Sequence, residues 1–474
     1  FVDHDDEEPP RSYELDMPLS NFHALIFSVS FEPDYLGLVL ALKRAGLAPL
    51  TEDRGPRDPL VVAGGIAVTL NPEPAAPFCD LMGVGEAEVL LPPLLPLLLE
   101  GPHRDDLVAR AARLPGWYAP TSAPPDPVTR QHLPALERPC MPVILGQGAA
   151  PNARVDLEVS RGCRWRCRFC AAGFVVTPYR ELTPEQLGPA LDWAIEQRAR
   201  VGLVGTDVSD HSHLMAMAQA IWRRGGEVAL PSLRVESLAR KGSQAVELVR
   251  LRPPRTLTMA VEASTPSLRC ALNKKVSQQQ LLDAAQNAAD AGVSQLRLYM
   301  LVGVPGETEQ EVEHIATLTG ELQAAGPGGQ LSLSVNGLVP KAGTPMQWLP
   351  APDLKYLRRC RRLLRKRLGK AGIRLQFESP DWTRWQALLS LGGRAASRHL
   401  LRGAEQGWRR ALAAAQGEEP LLQGEGRRPG SEVPWGFIGG RLGDDVLAQE
   451  YDALEQRLYT PPAKLWGRGQ EVEE

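Results

Sequence analysis

Between residues 153 and 350, short apolar segments alternate with stretches of helical periodicity. Six segments read as strands: 155–160, 201–205, 228–235, 257–264, 296–303 and 331–337. Three of them split cleanly into two faces. Along 257–264, Leu257, Met259, Val261 and Ala263 oppose Thr258, Ala260, Glu262 and Ser264. Along 331–336, Leu331, Leu333 and Val335 oppose Ser332, Ser334 and Asn336; in 155–160, Val155, Leu157 and Val159 oppose Asp156, Glu158 and Ser160. Strands of open doubly wound sheets are buried on both faces and read as continuous apolar runs. A polar face on a parallel strand predicts instead a barrel whose apolar side meets helices and whose polar side lines a lumen. The intervening helices carry start and stop signals. Thr183-Pro184-Glu185-Gln186 is a capping box with proline in the first turn, followed by Leu187, Leu191, Ala194 and Ile195 on one face. A second helix starts at Ser277-x-x-Gln280 and stops at Gly292.

The flanks differ. Residues 1–114 predict a parallel α/β sheet of Rossmann-like type: a strand at 23–30, a helical run at 35–45 stopped by Gly46, and a buried strand at 59–64 ending in Gly64-Gly65. A shorter strand at 81–85 precedes a leucine-rich helix. Residues 115–151 hold nine prolines, so 115–152 is expected to be a Pro-rich linker on the surface. Residues 351–474 are expected to be mainly helical, with a loop at 417–434. The fold class is therefore α/β: a partial (βα)6 TIM-like barrel over 153–350, preceded by the Rossmann-like domain and followed by the helical region.

Composition narrows the function. A length of 474 residues allows two or three domains, and 53 basic against 56 acidic residues leave a net charge of −3. That balance calls for neither nucleic acid nor a membrane surface. The longest apolar run, 89–99, is too short to span a bilayer and is broken by prolines, and no signal peptide is evident. Seven cysteines, an odd number, favour a reducing, cytoplasmic location over a disulfide framework. The chain begins at Phe1, in an acidic, proline-bearing stretch, which points to a piece of a longer protein.

Chemistry concentrates in Cys163-Arg-Trp-Arg-Cys167-Arg-Phe-Cys170, directly after the first strand of the repeat. Three thiolates at CxxxCxxC spacing can wrap one face of an iron–sulfur cluster and leave one iron without a protein ligand. The bland alternative is a zinc site or free thiols. Zinc usually takes four closed ligands, yet the nearest histidines, His211 and His213, lie far downstream and Cys79, Cys140, Cys270 and Cys360 are scattered singly. βα-loops at the C-terminal ends of barrel strands build active sites, and the trio sits at such an end. Arg161, Arg164, Arg166 and Arg168 either offset thiolate charge or are simply solvated.

With Phe169 before the third cysteine, the stretch resembles the CxxxCxΦC motif of the radical SAM superfamily. The resemblance implies a 4Fe–4S cluster on Cys163, Cys167 and Cys170. It also implies S-adenosylmethionine on the open iron, reductive cleavage to a deoxyadenosyl radical that abstracts hydrogen from a substrate the sequence does not identify, and an electron donor such as flavodoxin or ferredoxin. Cofactor contacts are then expected from Phe169, Thr206, Asp207, Ser232, Arg234, Glu262, Ser264, Gly303, Val304 and Pro305. Gly303-Val304-Pro305-Gly306-Glu307-Thr308 resembles the family segment that packs on adenine, although alone it is an ordinary strand-to-helix turn. Thr206-Asp207 stands where relatives carry a GGE motif, which this chain lacks. Glu262, Arg297 and Tyr299, on the polar strand faces with Glu158, are the candidate catalytic residues; for Glu262 a satisfied ion pair is the alternative.

The cysteine stretch, Ser232-Leu-Arg234-Val-Glu236-Ser237, Pro340-Lys341-Ala-Gly-Thr344 and Trp385-Gln-Ala-Leu-Leu-Ser-Leu-Gly392 resemble one branch of that superfamily, as do Val62-Ala63-Gly64-Gly65, Asn71-Pro-Glu-Pro74 and Gly83-Val-Gly-Glu86. That branch carries a cobalamin-binding-type domain before the barrel. Its cobalt-binding DxHxxG motif is missing here, since no Asp-x-His occurs in the chain, and the first strand–helix unit has no counterpart. A structural domain is therefore expected in preference to a cobalamin-holding one. The reaction stays open between a cobalamin-dependent methyl transfer and a tRNA-modifying methylthiotransferase. The latter would need three more cysteines upstream, where only Cys79 and Cys140 stand. Residues 355–370 hold nine basic residues; RNA contact is one reading, a solvated helix face the favoured one. A non-catalytic metal-binding docking module is the rival from another class.

Overall fold

The chain is described here from a computed structural model covering residues 9–101, 103–122, 127–141, 154–197 and 200–458. It divides into two compact units, Phe1–Leu133 with Val339–Asp353 and Asp381–Ala448, and Pro134–Leu338 with Leu354–Pro380 and Gln449–Glu474.

In the first unit the strands β1 (Ala24–Ser28), β2 (Leu60–Gly64) and β3 (Leu81–Gly83) run parallel. Leu60, Val62 and Leu81 bury against Leu90, Leu94 and Leu107. The helical run after β1 spans Asp34–Arg44 and stops at Gly46 in the left-handed region, as its sequence dictates. Trp117 and Tyr118, expected in a surface linker, instead form β4 (Trp117–Tyr118), antiparallel to β3 and buried. The Trp117 indole N–H donates to the Leu90 carbonyl at 3.1 Å, which satisfies it inside the core. A further short strand, β5 (Val128–Thr129), follows.

The second unit contains the strand–helix repeat. Its strands are β6 (Arg154–Glu158), a short antiparallel pair β7 (Ser160–Arg161) and β8 (Arg180–Glu181), β9 (Arg200–Val204), β10 (Val228–Ala229), β11 (Thr256–Glu262), β12 (Gln295–Val302), β13 (Leu331–Gly337) and β14 (Arg374–Phe377). Two parallel sheets result, β6-β9-β10 and β11-β12-β13-β14, and a bridge between Leu233 and Met259 connects them. The strands thus follow one another in sequence order. Among the described residues no pairing closes β14 onto β6.

The two-faced alternation holds. On β11, Leu257, Met259 and Val261 are buried while Thr258, Ala260 and Glu262 are half-buried; β12 and β13 repeat the pattern. Capping boxes at Thr183, Ser277 and Thr308 start the helices Pro184–Glu196, Gln278–Asp290 and Glu309–Ala325, each satisfying donors that would otherwise be orphaned.

Three expectations about elements need correction. The strand expected over 228–235 is only β10, because Pro231 has no N–H for a ladder, and Val235 already begins a helix, Val235–Ala239. β11 stops at Glu262, with a bulge between Ala260 and Glu262, so Ser264 leaves the alternating face. The region after 350 is mainly helical but also supplies β14, parallel to β13, and β15 (Ile438–Gly439), which pairs with β5 in the first unit. Among the described residues no helix is long and apolar enough to cross a membrane.

Candidate active site

The cysteine loop leaves the C-terminal end of β6 and is pinned at its base by the β7–β8 pair, Ser160 opposite Glu181 and Arg161 opposite Arg180. Gly162 adopts φ +84°, and a Cβ there would lie 2.3 Å from the Val176 carbonyl oxygen, so only glycine allows the chain to enter the loop here. The Thr206 hydroxyl donates to the Gly162 carbonyl, and the Cys170 N–H donates to the Cys167 carbonyl at 2.9 Å. Cys167 is buried; Cys163 and Cys170 are half-buried.

The far side of the loop docks on the turn after the helix Pro266–Ala271. The Arg168 N–H donates to the Leu272 carbonyl at 3.0 Å, and its guanidinium bonds the carbonyls of Cys270 and Ala271. The Asn273 side-chain amide donates to the Arg166 carbonyl at 2.9 Å. These bonds bring the buried side chain of Lys274 toward the thiols. Burial raises the pKa of all three cysteines, that of Cys170 to about 11. The Trp165 and Ala172 N–H groups oppose this at Cys163 and Cys170, and the charges of Lys274 and Arg234 oppose it at Cys163 and Cys167.

The loop arginines are employed elsewhere. Arg161 pairs with Glu158 at 2.6 Å, Arg164 pairs with Glu181 at 3.0 Å and lies over the Tyr179 ring, and Arg168 pairs with Glu450 at 2.8 Å. Arg166 is exposed. The cations acting on the thiols come instead from the segments after β10 and β11.

Arg234 stacks on the Trp165 ring at 4.1 Å and pairs with Glu236, and the Trp165 indole N–H donates to Asp207 Oδ2 at 2.6 Å. Burial, with help from Asp210, raises the Asp207 pKa. Burial likewise raises that of Glu262, against the charges of Lys274 and Arg234. Glu262 is held at φ +69°, a conformation that non-glycine residues rarely adopt. Asp207 Oδ1, Arg234 Nε and Glu236 Oε2 are buried without a hydrogen-bond partner among the described residues. Unsatisfied buried polar atoms are costly, and these carry both signs of charge beside the thiols.

The remaining expected residues fall in different places. Gly303, Val304 and Pro305 follow β12, and the Gly303 N–H donates to Glu307 Oε2 at 2.6 Å. The Tyr356 hydroxyl donates to the same oxygen at 2.9 Å. Phe169 is half-buried and Ser232 is exposed in a loop. Ser264 is buried, and its hydroxyl donates to the Glu311 carbonyl at 2.7 Å, so it ties the end of β11 to the helix Glu309–Ala325. Tyr299 and Arg297 are exposed on the polar face of β12, beside Ala260 and Thr258 of β11. Arg297 stands five residues before the end of its strand, about 17 Å at the strand rise per residue, so the structure does not bring it to the cysteine loop. Sequence reasoning missed Lys274, and it quoted Glu236, Glu307 and Trp165 without assigning them a role. Asn273-Lys274-Lys275 gives no hint of which lysine turns inward; the structure buries Lys274 and exposes Lys275.

The donor set can be compared with the groups it could hold. No three His, Cys, Asp or Glu side chains among the described residues converge on one metal ion. A cubane cluster asks for no such convergence, since each thiolate binds its own iron. Three thiols on one loop with two cations beside them fit it. The orphaned polar atoms of Asp207, Arg234 and Glu236 suit a ligand carrying both an ammonium and a carboxylate. Cobalamin is different. The carboxyl ends of parallel strands are where such domains take ligands, and in the first unit that edge is filled by the chain itself. Glu32 holds Lys341 at 2.7 Å and Gln386 at 3.2 Å, and Gly85 packs so closely that a Cβ would lie 2.2 Å from the Gln131 carbonyl oxygen. Those residues do not fit a corrinoid.

Comparison with known proteins adds the following. The family described as Radical SAM superfamily matches residues 157–319, and that described as Radical SAM proteins, N-terminal, matches residues 3–120. An uncharacterized protein of Methanocaldococcus jannaschii is 26% identical over 391 residues, 81% of this chain and 80% of that protein. Ribosomal protein uS12 methylthiotransferase RimO of a Synechococcus species is 26% identical over 175 residues, 34% of this chain and 36% of its own. Among solved structures, Streptococcus suis SuiB bound to S-adenosylmethionine shares 13% identity at a TM-score of 0.34, covering 49% of this chain and 48% of that one. The cobalamin-dependent S-adenosylmethionine radical enzyme OxsB shares 11% identity at a TM-score of 0.46, covering 92% of this chain and 71% of that one.

Proposed function

The chain belongs to the radical SAM superfamily and is an enzyme of that type, and from this we propose that Cys163, Cys167 and Cys170 hold a 4Fe–4S cluster at which S-adenosylmethionine is cleaved. Held by Cys163, Cys167 and Cys170, such a cluster would supply the single electron needed to split the sulfonium of S-adenosylmethionine. The chain's own residues bind and orient. Gly162 and the Thr206 hydroxyl fix the entry to the loop, and Arg168 and Asn273 fasten its far side. Arg234, Glu236 and Asp207 offer both signs of charge to the methionyl end of the cofactor. Glu307, by accepting from Gly303, sets the backbone at Gly303-Val304-Pro305, where the base would lie. Tyr299 and Glu262 face the polar side of the strand array and are the candidates for substrate contact.

The observation that carries this reading is three thiols on one glycine-hinged loop with Lys274 and Arg234 beside them. The methylthiotransferase reading rests on the similarity to RimO alone; Cys79 is buried, its thiol pushed up to about 12 by burial, and it reads as a packing residue. RNA contact through the helix Leu354–Lys370 is weakened by ion pairs of Arg359 with Glu309 and Arg367 with Glu313.

The test is anaerobic reconstitution with iron and sulfide, then reduction by dithionite or flavodoxin with S-adenosylmethionine present. Deoxyadenosine is expected from the wild-type protein. Cys163→Ala, Cys167→Ala and Cys170→Ala should each abolish it together with the brown chromophore. An intact cluster that yields no deoxyadenosine rejects the cleavage reading. One zinc per chain with no chromophore favours a non-catalytic module.

A further inference from the structure

The turn from β12 into the helix Glu309–Ala325 has little of its own to hold it. Gly303 and Gly306 sit in the left-handed region, at φ +83° and +75°, and neither has a side chain to pack. Two bonds within the turn fix it. The Gly303 N–H donates to Glu307 Oε2 at 2.6 Å, and the Glu307 N–H donates to the Val304 carbonyl at 3.0 Å. The first of these depends on where the Glu307 carboxylate is kept. The Tyr356 hydroxyl, in the first turn of the helix Leu354–Lys370, donates to the same Oε2 at 2.9 Å. The Cys360 thiol, one turn further along, shares a hydrogen bond with that hydroxyl.

Attaching the helix does not require this tyrosine. Leu357, Cys360, Leu364 and Leu368 already bury one face of it, and Arg359 and Arg367 pair with Glu309 and Glu313 at 2.7 and 2.6 Å. A carboxylate taken out of water is a costly way to add one more contact. Burial lifts the Glu307 pKa to about 7, against the donations of Gly303 and Tyr356. An acid kept there despite that cost serves the backbone it holds, and it holds the Gly303 N–H most firmly when ionised. Three groups bear on its charge. Glu311, on the helix that follows, opposes ionisation, while Gly303 and Tyr356 favour it. Tyr356 itself lies outside residues 157–319, which match the superfamily.

We propose that Tyr356 is a positioning residue for S-adenosylmethionine: by holding the Glu307 carboxylate against the Gly303 N–H, it fixes the turn Gly303-Val304-Pro305 on which the adenine lies. The inference rests on the reading that this turn takes the base.

Wild-type protein, Tyr356→Phe and Glu307→Gln would be reconstituted anaerobically and titrated calorimetrically with S-adenosylmethionine, 5′-deoxyadenosine and methionine. In Tyr356→Phe the dissociation constants of S-adenosylmethionine and 5′-deoxyadenosine should rise about fivefold. That of methionine, which does not reach the turn, should stay unchanged, as should iron and sulfide content. The second readout is pH. 5′-Deoxyadenosine has no group of its own titrating near neutrality, so its affinity reports the protein. It should weaken in wild type as pH falls through about 7, where Glu307 takes up its proton. In Tyr356→Phe the weakening should begin at higher pH, because the lost donor favoured the ionised acid; in Glu307→Gln it should vanish. Unchanged 5′-deoxyadenosine binding by Tyr356→Phe overturns the proposal. So does an equal loss for 5′-deoxyadenosine and methionine, which is general loosening, or a pH profile that Tyr356→Phe leaves in place. Wild-type protein that carries the brown chromophore yet binds neither S-adenosylmethionine nor 5′-deoxyadenosine fails the underlying reading of the turn instead.

Discussion

At Glu307 two opposing influences meet. Burial lifts its pKa from 4.5 to about 7, while donations from the Gly303 N–H and the Tyr356 hydroxyl pull it down. An acid whose folded pKa exceeds its unfolded value binds more protons when folded. The native state is therefore favoured below pH 4.5, loses stability as pH rises from about 4.5 to about 7, and changes no further above that. Glu307→Gln should flatten the slope of melting temperature against pH across this window. Tyr356→Phe removes a donor to the carboxylate, so the falling limb should extend to higher pH. Differential scanning calorimetry between pH 4 and 8 checks both. Legibility at this scale followed covalent spacing. The cysteine trio could be read from the chain because its spacing is local. Lys274 could not, because its inward turn is set by bonds to residues about a hundred positions earlier. Arg297 lies on the expected face, but alternation gives the face of a strand and not the depth along it, so its distance from the cysteine loop could not be read.

Among the elements, the helix Leu354–Lys370 shows how packing outweighs composition. Eight of its nine basic residues are exposed and Arg361 is half-buried, while Leu357, Cys360, Leu364 and Leu368 form one buried row. Leu364 is fully buried, so Leu364→Ala should cost about 2–5 kcal/mol. Arg362→Ala, on the exposed face, should change stability by less than about 0.5 kcal/mol. Urea titrations followed by circular dichroism distinguish the two. The apolar row was readable from its period. β14 was not, because Arg374-Leu-Gln-Phe377 is only four residues long and follows a basic helix that dominates any window around it. The segment around 228–235 misled in the other direction: its residues suit a strand one by one, but Pro231 cannot donate to a ladder.

On the scale of the whole chain, each unit is assembled from separated segments, so contacts distant in sequence carry much of the structure. Asn71 donates from the first unit's early part to the carbonyls of Ser390 and Gly392, and Arg394 pairs with Glu73 at 3.0 Å. No reading of local pattern anticipates such closures, and this is why the polar strings around Asn71 and Glu73 drew attention as motifs without a role. The order of β6, β9, β10, β11, β12 and β13, by contrast, followed from sequential neighbours pairing. That order has a cost at its margins. Among the described residues the outer sides of β6 and β14 have no strand partner, although the Glu158 N–H on that side of β6 donates to the Cys140 carbonyl at 3.0 Å, and an unpaired backbone edge invites another molecule to add itself. Both are short and each begins with an exposed arginine, Arg154 and Arg374, whose charge discourages such addition. Arg374→Val should therefore leave the fold intact yet raise light scattering on concentration, because it takes the charge off the free side of β14.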